Sequence, residues 1–195
     1  GNHILDHGPE GLESTVRCLD NAGISHVGVG ANLKAAEEPF FFTQNDRRFG
    51  VYACAEHEYS IAGTAAAGAN PFDPLESLDH IEAAKKKCDY LIWLYHGGKE
   101  HYRYPSPNLQ HTCRRIVDKG ADLVICQHSH CVGCEERYRD AVIVYGQGNF
   151  LFDLCSNEYW NSGVLVRVSD ELVVDYIPLV RCGNGVRLAG EGEAK

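Results

Sequence analysis

The sequence predicts an α/β fold with two β-sheets, and three features lead to this prediction. Two segments each read as a helix, then a continuous apolar strand, then a polar cluster; their strands are residues 90–95 and 122–126. Such strands are typical of a parallel sheet that is covered on both faces. Beyond residue 140 helical signals become rare, which indicates a second, more antiparallel sheet. Polar clusters directly after strands are where α/β sheets carry their sites.

The remaining elements follow from local signals. The first helix starts after Asp6-His7-Gly8, because Pro9 suits a first helical turn, and Asn21-Ala22-Gly23 ends it. A second helix runs from Pro74 to the lysine run 85–87, and a third covers about 108–119. The stretch 62–70 is rich in small residues and is predicted as a loop. Strands of the first half are predicted at 26–29, 40–42 and 49–55, and those of the second sheet at 142–145, 163–168 and 172–179.

Composition limits the classes of function. A chain of 195 residues suits one domain, which we place at residues 1–195 and expect to be incomplete before Gly1. The formal charge of −9 excludes nucleic acid as a partner, since binding phosphates needs a basic surface. The sequence contains no run of about 18 apolar residues, so no membrane span is predicted. Nine cysteines favour reduced thiols and a cytoplasmic location, while a membrane anchor or export stays open because of the expected missing segment.

Scattered histidine motifs are the main chemical signal. They are Asn2-His3 near the start, His96 after one buried strand, and His128 and His130 after the next. Imidazoles and an asparagine amide oxygen can ligate divalent transition metals. His128 and His130 are two positions apart, so both can reach one cavity. Two such metals clamp the attacking and leaving oxygens of a phosphoester displacement, and a further histidine can protonate the leaving group.

Two other interpretations stay open. Taken singly, Asn2-His3 suits a turn or cap, and His96 suits a strand end at the surface. The cysteines Cys126, Cys131 and Cys134 also have part of the spacing of a structural zinc module, although a second cysteine pair at the usual separation is not evident in the sequence.

With these motifs in hand, the chain resembles the bacterial capsule-synthesis CapA family, also called the poly-γ-glutamate capsule synthesis family, of the calcineurin-like metallophosphoesterases. The resemblance covers roughly residues 1–155. The family patterns Asn-Asn-His-x-x-Asp-x-Gly and His-Trp-Gly-x-Glu correspond to residues 1–8 and 96–100, with Gly97 in place of the tryptophan. Further segments that match the family are residues 28–32, 120–130 and 145–150. In the second of them, Gln127 stands where the family often has a glycine or histidine.

The resemblance implies a layered α/β/β/α sandwich of two mixed sheets whose first strand or strands are missing, and it implies a role for each motif residue. Asn2, His96 and His128 would ligate one metal ion, Mn or Zn, and His130 would ligate a second. His3 would be the catalytic acid, with Asp6 beside it. Glu100 and Asn149 would line the pocket or orient the histidines.

The implied function is a metal-dependent hydrolase of the phosphoesterase type in bacterial capsule or polyglutamate biosynthesis. Its substrate would be a phosphoester or an anionic, polymer-related molecule, and its partners would belong to the synthesis machinery. Relatives supply further acidic ligands from strands before the Asn-His motif, so we expect residues 1–195 to hold one metal weakly and to turn over substrate poorly. The alternative is a non-catalytic binding or assembly partner on the same scaffold.

Overall fold

A computed structural model describes residues 1–56, 60–152 and 158–193. Its helices are α1 (Gly8–Asn21), α2 (Leu33–Ala36), α3 (Glu76–Lys85) and α4 (Pro107–Asp118), with a short 3-10 helix at Glu158–Asn161. The strands are β1 (Val29–Gly30), β2 (Phe40–Gln44), β3 (Arg47–Ala55), β4 (Gly68–Ala69), β5 (Tyr90–His96), β6 (Leu123–Gln127), β7 (Glu135–Tyr138), β8 (Ala141–Val144), β9 (Ser162–Val168), β10 (Val174–Cys182) and β11 (Gly185–Leu188). In the part of the chain described here, no helix is long and apolar enough to cross a membrane.

A six-stranded sheet holds the strands that the sequence marked as buried. Its order is β2-β3-β5-β6-β8-β7, and the four central strands β3, β5, β6 and β8 run parallel to one another. The edge strands β2 and β7 are antiparallel. In the register of β5 and β6, Tyr95 lies opposite Cys126 and His96 opposite Gln127. The two histidine-bearing strands are therefore neighbours and end at the same edge.

A three-stranded antiparallel sheet, in the order β11-β10-β9, follows in the chain. The predicted strands at 163–168 and 172–179 are confirmed as part of it. Assigning 142–145 to this second sheet was wrong, because β8 pairs with β6 in the large sheet, where all of its residues are buried. A short apolar run fits either sheet, so the pattern alone could not decide. The predicted strand 26–29 is reduced to the two residues Val29–Gly30. They pair with Gly68–Ala69, which lie in the stretch 62–70 that was predicted as a loop.

Two apolar cores order the layers. One core joins α3 and α4 to one face of the large sheet through residues such as Ile81, Ile116 and Trp93. The other lies on the opposite face, where Leu123 and Val142 are packed with Val166 of the small sheet. Helices, large sheet and small sheet are thus successive layers of an α/β sandwich, as predicted. The small sheet is antiparallel rather than mixed, and neither core contains a described residue of α1 or α2.

Candidate metal centre

The candidate site lies at the carboxyl ends of the parallel strands. His96 is the last residue of β5, and His128 comes directly after β6. Because these strands are paired, the two imidazole rings approach to 5.0 Å between centroids. The His128 side chain is only 6% exposed. Adjacent buried strands therefore hold two imidazoles at one place.

Asn2 reaches this pair from the beginning of the chain. Its Oδ1 atom lies 2.9 Å from His96 Nε2. Two ligand atoms bound at about 2.1 Å and at right angles around one metal ion are about 3 Å apart, so this distance suits neighbouring ligands. Asn2, His96 and His128, which the sequence analysis assigned to one metal ion, are thus brought together.

His96 is held in its neutral form. Its pKa is lowered to about 3, mainly by burial and further by the neighbouring imidazoles of His128 and His130. Neutral imidazole is the form that ligates a metal ion. The side chain is therefore in a coordinating state over the ordinary range of pH.

His130 lies beside this group rather than in it, with its ring centroid 6.4 Å from that of His128. His130 Nδ1 is 2.8 Å from Asn149 Oδ1, while Asn149 Nδ2 donates to the Trp160 carbonyl over 3.1 Å. Since the amide nitrogen is used at Trp160, the amide oxygen accepts from His130, and Nδ1 carries the proton. The lone pair is then on Nε2. Asn149 thereby fixes the tautomer of His130, and the Trp160 indole packs on its ring at 4.8 Å.

Glu100 lies close to His128, on the loop after β5. Its Oε1 is 3.7 Å from His128 Nε2, and its Oε2 is 3.6 Å from His101 Nε2. The loop is attached to the His128–His130 segment, because the His101 N–H donates to the Ser129 carbonyl over 2.9 Å. The Glu100 carboxylate therefore lies next to the Nε2 atom of His128.

Backbone strain is concentrated at the same place. His101, His128 and His130 have φ angles of 67°, 93° and 58°, in the left-handed region that non-glycine residues rarely adopt. Strain of this kind persists where the surroundings fix the backbone, and it is common at functional sites. The segment after β6 is therefore held in a specific shape that aims its side chains.

His3 and Asp6 form a pair of their own. His3 Nδ1 is 2.8 Å from Asp6 Oδ2, one helical turn away, and both side chains are mostly exposed. Among the described contacts, neither touches the rings of His96 or His128. The structure thus gives His3 an orienting carboxylate and leaves it at the rim of the site.

Glu56 is a residue that the sequence analysis did not single out. It follows β3 directly, and its carboxylate accepts hydrogen bonds from the Tyr95 hydroxyl at 2.7 Å and from the Gly98 N–H at 2.9 Å. A Cβ atom at Gly97 would lie 2.5 Å from Glu56. A side chain at position 97 would therefore have to displace the Glu56 side chain. The signal was present in the sequence, because Glu56 directly follows a largely buried strand.

The donor set fits one metal ion better than two. Among residues 1–56, 60–152 and 158–193, no group of three or more His, Cys, Asp or Glu side chains is arranged to hold an ion, so one site would depend on two imidazoles and the Asn2 amide. The cysteine alternative is disfavoured by packing. Cys126 is turned into the helix-side core, with its Sγ 3.5 Å from that of Cys113.

A cavity of about 290 Å³ opens beside the histidines, between the large and the small sheet. Its wall carries amide groups, and Gln127 Nε2 donates to Gln147 Oε1 over 2.9 Å. Other lining residues include His96, His128, Asn149 and Leu165. A ligand in this cavity would lie against both imidazoles.

An α/β sandwich with two histidines at the ends of its parallel strands and an asparagine against them has the metallophosphoesterase-like fold. The family follows from the sequence comparison. Residues 1–154 match the family model described as bacterial capsule synthesis protein PGA_cap, and the chain belongs to that family.

Named relatives agree with this assignment. The chain is 28% identical over 189 residues to the capsule biosynthesis protein CapA of Bacillus anthracis, covering 91% of this chain and 46% of that protein. It is 30% identical over 156 residues to the PGA biosynthesis protein CapA of Bacillus subtilis, covering 78% and 41%. It is 32% identical over 165 residues to a "probable polyglutamine synthesis accessory protein" of Mycobacterium tuberculosis, covering 78% and 43%. The chain thus spans less than half the length of these relatives.

Proposed function

We propose that this chain holds a divalent metal ion, Mn or Zn, at Asn2, His96 and His128, and that the whole protein uses it as a phosphoesterase-type hydrolase in capsule or poly-γ-glutamate biosynthesis. The observation that carries the proposal is the approach of Asn2 Oδ1 to His96 Nε2, 2.9 Å, beside His128. The names of the relatives support the biosynthetic setting.

Each residue has a proposed task. A bound divalent ion would polarise a phosphoryl or carbonyl oxygen and lower the pKa of a bound water. His96 is neutral and would ligate this ion, while His130, with its lone pair on Nε2, would be the ligand of a second ion where one is bound. His3 would deliver a proton to the leaving oxygen, with Asp6 holding its ring through Nδ1. The cavity beside the histidines would hold the anionic substrate.

Metal binding is tested by titrating Mn²⁺ or Zn²⁺ into the metal-free protein, with calorimetry and elemental analysis as readouts. We expect His96→Ala and His128→Ala each to weaken binding at least about tenfold, since each removes a ligand. His111→Ala is the matched control, because His111 is an exposed histidine of α4. Unchanged binding in the His96 and His128 variants, with loss in Cys131→Ser, would instead establish the cysteine site.

A second candidate is a non-catalytic binding or assembly role on the same scaffold. It is favoured by the donor set, which in the described ranges offers only two imidazoles and an amide at one ion. The two are separated by assaying the metal-loaded whole protein, with the segment expected before Gly1 present, against a chromogenic phosphodiester. Turnover that falls in His96→Ala and His3→Ala but not in His111→Ala supports the hydrolase. A fully metallated protein without turnover supports the binding role.

A further inference from the structure

A second cavity adjoins the one beside the histidines. It also has a volume of about 290 Å³, and it lies against the end of the small sheet. Asn149 and Phe150 line both cavities, so the two meet at the residue that fixes the His130 tautomer. The remaining wall is formed partly by Trp160, Asn161, Arg181 and Asn184. One extended ligand could therefore occupy both spaces.

Arg181 gives this cavity its charge. Its Nε donates to the Gly183 carbonyl over 3.3 Å, and it has no carboxylate partner within the described ranges. Other arginines of the small sheet differ, because Arg167 is paired with Asp175 and Arg187 with Glu193. In a chain with 27 acidic and 18 basic residues, a cavity-lining arginine that keeps its charge unpaired is notable. The planar guanidinium is suited to binding a carboxylate through two parallel hydrogen bonds.

The other lining groups indicate which anion would be bound. Asn161 and Asn184 bring amide side chains to the same wall as Arg181. Trp160 also contributes a large apolar surface to the cavity. A ligand with carboxylates along an amide backbone matches a guanidinium and amides beside an apolar indole face better than a bare phosphate does.

We propose that the cavity lined by Arg181 is a subsite for the carboxylate of an anionic polyamide, such as a γ-linked glutamate chain. The backbone of that chain would continue into the adjoining cavity, past the Gln127–Gln147 pair, to the histidines. The polymer's identity rests on the proposed function, whereas the anion subsite rests on Arg181 and the walls around it.

The test is binding of a penta-γ-glutamate peptide to the protein, measured by calorimetry in EDTA, so that no metal contributes. We expect Arg181→Ala to weaken binding at least about tenfold and Arg181→Lys to restore part of it. Arg187→Ala should bind as the unchanged protein does, since that guanidinium is already paired with Glu193. Thermal melting of each variant verifies that it is folded.

Two further measurements separate this proposal from the proposed function. His96→Ala should lose metal binding but retain the peptide in EDTA, so a failure of the metal site leaves the subsite intact. A peptide whose side-chain carboxylates are replaced by amides should bind at least about tenfold more weakly. Equal binding of the amidated peptide, equal binding by Arg181→Ala, or displacement by inorganic phosphate at the same concentration as the peptide would each overturn the subsite.

Discussion

The six-stranded and the three-stranded sheet are built from strands of opposite character. In the large sheet Leu91, Trp93 and Leu123 are fully buried, and the strand β8 is buried along its whole length. In the small sheet Leu165 and Leu188 are 41% and 62% exposed. The candidate metal ligands His96 and His128 end strands of the large sheet, whereas Arg181 belongs to the small one. A site that needs fixed geometry is thus carried by the most buried strands.

The two sheets consequently differ in what substitution should cost. The buried sheet should tolerate change poorly, since its side chains are packed on both faces by helices and by the small sheet. The small sheet keeps one face partly in solvent, so its side chains can change with less effect on folding. The residues around Arg181 can therefore be varied while the candidate metal ligands stay in place.

The largest expected effect is a loss of stability on substitution of a buried residue in the large sheet. Leu91→Ala leaves a cavity in the helix-side core and should lower the free energy of unfolding by about 2–5 kcal/mol. Leu188→Ala, in the exposed part of the small sheet, should change it by less than about 0.5 kcal/mol. Urea denaturation followed by circular dichroism measures both values. Equal losses in the two variants would contradict the contrast between the sheets.

An intermediate effect is expected at the turn after β5. In Gly97→Ala the new Cβ would lie 2.5 Å from Glu56, whose carboxylate cannot move freely because Tyr95 and Gly98 donate to it. The substitution should cost about 1–3 kcal/mol of stability through this overlap. Denaturation of the variant gives the value.

The control for this prediction is Gly63→Ala, where an added Cβ meets only ordinary contact at 3.6 Å. A double-mutant cycle with Glu56→Ala isolates the contact, because the cost of Gly97→Ala should fall when Glu56 is already truncated. An unchanged cost in the Glu56→Ala background would show that Glu56 is not what requires glycine at position 97.

The sequence was most informative where burial is continuous. Apolar runs followed by His96 and by His128 predicted two buried strands of a parallel sheet with polar groups at their ends, and the parallel pairing of β5 with β6 confirms this. Strand β8 was placed in the wrong sheet, since a short apolar run carries no information about its neighbours. Local patterns thus determine what an element is more readily than which element it pairs with.

Long-range side-chain contacts were the least accessible to sequence reasoning. The contact between Asn2 and His96 spans 94 positions and was reached only through resemblance to a family. Glu56 had a visible signal, an acidic residue directly after a buried strand, that went unused. Arg181 had none, because nothing local distinguishes an unpaired arginine from Arg187, whose partner Glu193 lies in the following turn. Such environments depend on packing of the whole chain.

The smallest expected effect concerns the ion pair between Arg187 and Glu193, which lies on the solvent-exposed small sheet. Hydrogen bonding to Arg187 lowers the pKa of Glu193 to about 2. A lowered carboxyl pKa means that the folded state favours the charged form. The contribution is therefore present above the ordinary value of 4.5 and is lost as the pH falls toward about 2. At pH 7 Glu193→Gln should lower the melting temperature by less than about 2 °C, because both partners are in solvent. Near pH 2 the unchanged protein and Glu193→Gln should have the same melting temperature. Glu191→Gln is the control at each pH. A difference in melting temperature that grows on acidification would mean that the ion pair of Arg187 and Glu193 does not act through this ionisation.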